Sequence, residues 1–578
     1  MKHKFQKTLG ESTRVLILSV ITGFCSGAAA VLLVRLISAL QHLVAPLPSA
    51  VKFIALPGAG MLFSLLLIKY LVKDNIGHGV TKVLVAVSRN ESRIRPHNMW
   101  SSMLSSALTI GLGGSVGAEA PIVYTGAAFG SNIGRAAGLS HRNVTILLGC
   151  GAAGAIAGIF KAPLAGVLFT LEILLFNISM SSMTPLLLST VTATVISYVF
   201  MGDISPFRCS VAPFAMGRMP FYIILGLFCG ICSLYFLRTT LNLEDKLAKM
   251  RSGYLKWLIC AAGLGILILL FPPLFGEGYG VIGSLLRGEN LEMGAQTPLG
   301  WMLRLEWGVP LFFLIVLTFK VFAMTLTNAG GGVGGTFGPT LFVGGIAGFV
   351  LARTLNLAAG LDLPEANFVL VGMAGLMAGV MQAPMTAIFL IAEITGGYEL
   401  FLPLIVCSAV SFGVTRMHEK YSIYTKRIAV SGDLLTHDND KAVMTLLQTA
   451  DLVRDKYPRI ERKATLRELV GVISESNAAV IAVVDKEGRF EGQIDVGEIR
   501  STLFNTKKYN VLLVEEIMQA PPAYVYLDEK MESVMEKFDR TAAWRLPVVD
   551  ADNIYQGFIS KSRILMAYRT QLKEITSE

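Results

Sequence analysis

Charge is what this chain has least of. Acidic and basic residues make up 16% of its 578 positions, against 53% apolar ones. A soluble domain of that size needs a more charged surface, so a water-exposed globule is excluded. Cysteines are few and dispersed: Cys25, Cys150, Cys209, Cys229, Cys232, Cys260 and Cys407. The "CGIC" run at Cys229–Cys232 has redox or zinc spacing, but no second ligand pair accompanies it, and the cysteines read as small packing residues in apolar helices. The seven histidines are scattered, there is no HExxH motif, and no Ser/His pair sits in a suitable glycine-flanked motif. No metal-ligand set is expected and the chain is not read as an enzyme. The net charge of +9 is not gathered into a basic patch interleaved with aromatics, which excludes nucleic acid as a partner.

What is present is long apolar sequence. Runs of near-spanning length cover Val15–Val34, Phe53–Ile68, Phe221–Leu237, Trp257–Phe275 and Leu311–Leu326. Runs of about 20 apolar residues are membrane helices in the making, so the expected class is an all-α polytopic membrane protein. The opening "MKHKFQK" is basic, and the apolar run after it is long enough to span rather than to be cleaved as a signal. Basic flanks favour a cytoplasmic N-terminus, and the C-terminus is expected to be cytoplasmic too, in a multi-pass integral membrane protein of the bacterial inner or plasma membrane if the source is prokaryotic.

Composition changes near Arg416, and the boundary is set at residue 430, dividing a membrane part (1–430) from a normally charged tail (431–578). Both parts repeat internally. In the tail, "AVVDKEGRFEGQIDVGEIR" from Ala482 matches "PVVDADNIYQGFISKSRIL" from Pro547, with Val484, Asp485 and Gly492 on Val549, Asp550 and Gly557. Each copy reads as helix, strand, polar turn, strand, helix. In the membrane part, "GAAGAIAGIFKAPLAGVLFTLEI" from Gly151 matches "GMAGLMAGVMQAPMTAIFLIAEI" from Gly372, and Gly117, Pro121, Gly126 and Gly130 fall on Gly335, Pro339, Gly344 and Gly348. Matching halves interrupted by Gly and Pro point to a transporter with a central site between them. Broken helices survive in lipid only where they are buried or line a cavity. Their N-terminal ends aim backbone N–H groups and the positive end of the helix dipole inward, which suits an anion. Whether the halves are parallel or inverted is open at this level.

Three interrupted segments, "GHGVT" (Gly77–Thr81), "GAEAP" (Gly117–Pro121) and "GTFGP" (Gly335–Pro339), with "YSIYTKRI" from Tyr421, resemble the anion-binding motifs of the CLC chloride channel and transporter family. The tail resembles a tandem CBS-domain pair, about 440–505 and 511–572. The resemblance implies a membrane unit of two repeated halves with broken helices, a cytosolic α/β CBS pair, and a homodimer with one pore per subunit. It implies chloride, or another small anion, as the transported ion, with protons as a second partner and no required cofactor. Gly77, His78, Gly79, Thr336, Phe337, Gly338 and a tyrosine would surround the anion. Tyr421 fits the family's tyrosine better because a serine and then basic residues follow it; Tyr424 is the fallback. Glu119 aligns with the gating glutamate: charged, it competes with the anion; protonated, it frees the site.

The match departs from the family at two places. His78 stands where the family usually has a serine, which bears on anion preference and on pH response. Ile173 stands where proton-coupled members often carry an inner acid, and isoleucine relays no proton. The expectation therefore leans to voltage- or pH-gated, channel-like conduction, with a proton-coupled antiporter as the alternative. Glu172 and Glu393 close matching segments and read as helix-end scaffolding. In the CBS pair, Asp495, Glu498 and Ser560 are candidate contacts for an adenine nucleotide, but Arg563 replaces an expected acid, and a packing module is the plainer reading. A CBS-bearing cation transporter would need converging intramembrane carboxylates, which the sequence does not supply.

Overall fold

A computed structural model describes residues 10–74, 76–89, 92–174, 180–202, 207, 211–250, 252–289, 298–430, 447–453, 457–476 and 478–576. The basic start, Cys209 and the segment around the expected boundary lie outside them. The chain divides into two compact units, Met1–Leu434 and Leu435–Glu578.

The first unit is helical. Among the described residues nine helices are long and apolar enough to cross a membrane, and shorter apolar helices lie between them. The repeated glycines set the closest approaches. The Glu119–Ala136 helix packs on His141–Phe160, and Phe337–Ala359 packs on Glu365–Met381. A Cβ at Gly126 would overlap the carbonyl of Gly151, and one at Gly344 that of Gly372; Gly130 and Gly348 meet Leu147 and Phe368 in the same way. Glycine is kept here because backbone faces backbone. "CGIC" is absorbed into the same packing: Cys229 and Cys232 are buried, and Cys229 and Cys407 fill the space beside Gly375.

The halves are inverted with respect to each other. The short helices Pro163–Glu172 and Pro384–Thr395 are equivalent in the repeat, and each begins with proline at its first position, where the missing N–H costs nothing. Glu172, closing the first, accepts the amides of Met385 and Thr386 at 3.0 and 2.7 Å and the Thr386 hydroxyl at 2.7 Å. Glu393, near the end of the second, accepts the amides of Leu164 and Ala165 at 3.0 and 2.8 Å. Each helix thus caps the start of the other, so the two run antiparallel. Equivalent backbone departures precede them: Lys161 and Gln382 both hold positive φ, 58° and 54°.

The second unit contains two three-stranded sheets of one design. The first is ordered β1 (Arg459–Glu461), β2 (Val480–Val484), β3 (Phe490–Asp495); the second is β4 (Val525–Tyr526), β5 (Arg545–Val549), β6 (Tyr555–Ser560). In both, the first pairing is parallel and the second antiparallel, with a register shift at the equivalent Val483/Val484 and Val548/Val549 steps. The helices Leu466–Ser474 and Met531–Thr541 make the crossovers. Asp485 and Asp550 close the polar turns, each accepting amides two and four residues on. Val480, Ala482, Val484 and Phe490 of the first copy share one core with Val549, Tyr555 and Phe558 of the second.

Candidate anion pathway

Two broken segments meet backbone to backbone. Gly117 donates to the carbonyl of Gly335 at 3.0 Å, and Gly335 returns the bond to Gly117 at 2.7 Å. This antiparallel bridge sets the starts of Glu119–Ala136 and Phe337–Ala359 side by side. A third helix, Gly79–Arg89, begins against the same place, since a Cβ on Gly79 would overlap the Ala120 carbonyl. Pro121 and Pro339 lie in the first turns of their helices, where proline is tolerated. The result is a buried meeting point of helix N-termini, with their amides and positive dipole ends.

The side chains follow from that frame. Glu119 is 1% exposed. Its Oε2 accepts the Gly338 amide at 3.2 Å, and its Oε1 accepts the hydroxyl of Tyr279. The carboxylate therefore sits where a small anion would find donors. Thr336 donates through Oγ1 to the Tyr424 hydroxyl at 3.2 Å, and Tyr424 is buried. The Phe337 ring is buried against Phe160 and Phe169, at 5.4 and 6.4 Å between centroids, which leaves its backbone as the part directed to the site.

The structure brings Gly79, Glu119, Thr336, Phe337, Gly338 and Tyr424 together. It does not bring Tyr421, which is half-buried with the Lys420 ammonium 5.6 Å from its ring centroid. Of the two tyrosines the structure sets the fallback, Tyr424, beside Thr336, on the inward side of the Ile423–Val430 helix, and the basic residues that recommended Tyr421 make ion pairs: Lys426 with Glu419 and Arg427 with Glu244. Gly77 holds φ 49°, as the turn requires, but the His78 ring leaves the site, its Nε2 3.6 Å from Glu244 Oε1. Ile173 is buried.

Sequence reasoning missed Tyr279, Glu277 and Lys320. Glu277 accepts the Ala118 amide at 3.0 Å. Lys320 is fully buried; its Nζ bonds Ser115 Oγ at 2.9 Å and the carbonyls of Gly276 and Glu277 at 3.0 and 3.4 Å. The signal was there: "GEGYG" (Gly276–Gly280) sets one acid among glycines, as "GAEAP" does, and Lys320 is a lone charge in an apolar helix.

The family model described as voltage-gated chloride channel matches residues 59–416. The chain belongs to that family. A CBS-domain model matches residues 514–570, over the second sheet. Among curated relatives, the chain is 28% identical to chloride channel protein CLC-e of Arabidopsis thaliana over 60% of this chain and 50% of that protein. It is 28% identical to a ClcB-like chloride channel protein of Ralstonia nicotianae over 65% of this chain and 85% of that one. Among solved structures, a slow cyanobacterial Cl−/H+ antiporter superposes with a TM-score of 0.61 at 24% identity, over 72% of this chain and 98% of the other. A eukaryotic CLC transporter superposes with the same TM-score at 16% identity, over 95% and 98%. These likenesses show the fold.

Within the family's CBS-type tail, Asp495, Glu498 and Ser560 stand at strand ends and are engaged locally. Asp495 accepts the Gly497 amide at 2.8 Å, Glu498 accepts from the Gln519 side chain at 2.5 Å, and Ser560 Oγ lies 3.2 Å from Ser562 Oγ.

Proposed function

We propose that this chain carries chloride, or another small anion, across a membrane, with Glu119 as the gate and the amides of Thr336, Phe337 and Gly338 and the Tyr424 hydroxyl as the anion's donors. One observation carries the reading: a single buried carboxylate rests on the Gly338 amide, where helix starts converge. Donors of this kind hold an anion without a fixed positive charge, so that it can also leave. From the "GHGVT" turn the reading takes the backbone of Gly77, His78 and Gly79, because the His78 ring faces Glu244. A homodimer with cytoplasmic termini belongs to the same proposal.

Ile173 favours channel-like conduction, since it removes an acid from the inner end of any proton route. Proton-coupled exchange is the second reading. The cyanobacterial neighbour described as a Cl−/H+ antiporter favours it. The test is chloride flux and reversal potential in vesicles holding the full chain. Glu119→Gln is expected to remove most of the pH dependence while flux persists, and a wild-type pH profile in that variant overturns the gate. A reversal potential set by the chloride gradient alone means a channel; one that moves with an opposed pH gradient means exchange.

A further inference from the structure

The loop that carries Glu277 has no task in the reading above, yet it reaches the gate. Glu277 Oε1 holds the amide of Ala118, the residue before Glu119, at 3.0 Å. Two carboxylates thus occupy the amides of two neighbouring helix starts: Glu119 that of Gly338 and Glu277 that of Ala118. Glu277 also lines a cavity of about 730 Å³ with Gln41, Lys52, Phe275 and Tyr279. It therefore has the cavity on one side and the gate on the other. The charged and titratable groups around it are Glu119, the Tyr279 phenol, the buried Lys320 ammonium and Lys52 on the cavity wall. The Lys320 hydrogen bonds go to Ser115 Oγ and to the loop carbonyls of Gly276 and Glu277, so they anchor the loop whichever protonation state the carboxyl adopts.

We infer that Glu277 is a second gating carboxylate in series with Glu119, which occupies an anion subsite at the Ala118 amide and vacates it on taking a proton from the Lys52-lined cavity. A carboxylate is a much stronger acceptor than a neutral carboxyl, so protonation loosens its hold on the amide and frees that donor for the anion. The same proton is then within one residue of the Glu119 side chain's backbone, on the route by which Glu119 is discharged. The inference rests on the reading of Glu119 as the gate.

The experiment is chloride efflux from vesicles holding the full chain, from pH 4 to pH 8, for wild type, Glu119→Gln, Glu277→Gln, Glu277→Asp and the double Gln variant. Glu277→Gln is expected to raise flux at neutral pH about tenfold, the factor at the lower end of what a hydrogen bond to a charged group represents. Its pH profile becomes shallower, because one of two protons is no longer needed. Glu119→Gln keeps a residual pH dependence, and the double variant loses it. Glu277→Asp keeps a titrating carboxyl, one methylene short of the amide, and is expected to give intermediate flux with a retained profile; it serves if the Gln variant is not monodisperse. A Glu277→Gln or Glu277→Asp protein with wild-type flux and profile overturns the second gate, as does a double variant whose profile equals that of Glu119→Gln. An unchanged profile in Glu119→Gln overturns the reading of Glu119 itself, and the series arrangement with it.

Discussion

Glu172→Ala and Glu393→Ala test the inverted frame directly. Glu172 holds two amides and a hydroxyl, and Glu393 holds two amides, all at the starts of the paired short helices. A hydrogen bond to a charged group contributes about 1.5–3 kcal/mol net, and an orphaned amide adds its own desolvation cost. Met385 is 46% exposed, so the lower end of that range applies to its bond. Water replaces part of what is lost, since Leu164 is 39% exposed as well, and the bonds of one carboxylate are not additive, so the losses expected are about 3–5 kcal/mol for Glu172→Ala and about 2–4 kcal/mol for Glu393→Ala. A kcal/mol moves the melting temperature of a 150–250-residue domain by roughly 2–4 °C and a larger unit by less, so falls of roughly 3–8 °C follow. Glu→Gln keeps one acceptor oxygen and loses the charge, and is expected to cost about half as much. Because both caps brace the same helix pair, the double alanine variant departs from additivity by about 0.5–3 kcal/mol. The assay is thermal unfolding of the detergent-solubilised protein, read by loss of the monodisperse peak, beside the pH profile of chloride flux. Alanine variants that melt with the wild type would refute the capping argument. A changed pH profile with unchanged stability would refute the assignment of these acids to the frame rather than to the pathway.

Two further outcomes follow from the geometry. Tyr424→Phe removes the hydroxyl that accepts from Thr336 and would donate to the anion, and is expected to weaken chloride binding by about fivefold, the equivalent of one ordinary hydrogen bond, while Tyr421→Phe leaves it unchanged; calorimetric titration with chloride checks both, and the opposite order would restore Tyr421. Gly348→Ala drives a methyl into the Phe368 carbonyl and is expected to cost about 1–3 kcal/mol or to prevent assembly, whereas Gly413→Ala, with open space around it inside a helix, is expected to be neutral or to stabilise by up to about 1 kcal/mol; melting temperatures of the two distinguish steric from propensity effects.

The features legible in the sequence were those that need a residue type at a repeated spacing. The Gly and Pro positions recur because backbone contacts recur, so both halves and the broken helices could be read before any coordinates. The two β-repeats were legible because Asp485 and Asp550 make the same turn and Gly492 and Gly557 follow at the same distance. Side-chain direction was not legible. Tyr421 and Tyr424 lie three residues apart, Tyr421 before the Ile423–Val430 helix and Tyr424 in its first turn, and which of them faces inward depends on where that helix begins, since a helix start is read only to within a residue or two. The direction of the His78 ring was hidden for a similar reason: its neighbours in sequence are glycines, but its neighbour in space is Glu244, a residue far along the chain. Inversion was hidden as well, because parallel and inverted halves give the same list of matched residues, and only the exchange of caps between Glu172 and Glu393 distinguishes them.

The frame is symmetric, and the chemistry lies where the symmetry fails. The alignment that sets Gly117 on Gly335 and Pro121 on Pro339 also sets Glu119 on Phe337. One helix start carries a carboxylate. Its counterpart carries an aromatic ring that withdraws into the core beside Phe160 and leaves the backbone to meet the Glu119 carboxylate through the Gly338 amide. A carboxylate at position 337 as well would compete with Glu119 for the same amides, and two phenylalanines would offer an anion donors with no side chain to regulate its entry. A repeat can build the pair of facing helix ends, but a gate needs them to differ. By that logic Glu277 belongs with Glu119: it reaches the amide of Ala118 from a loop outside the two matched motifs, adding charge to one helix start while leaving the Thr336–Tyr424 side of the meeting point to donors.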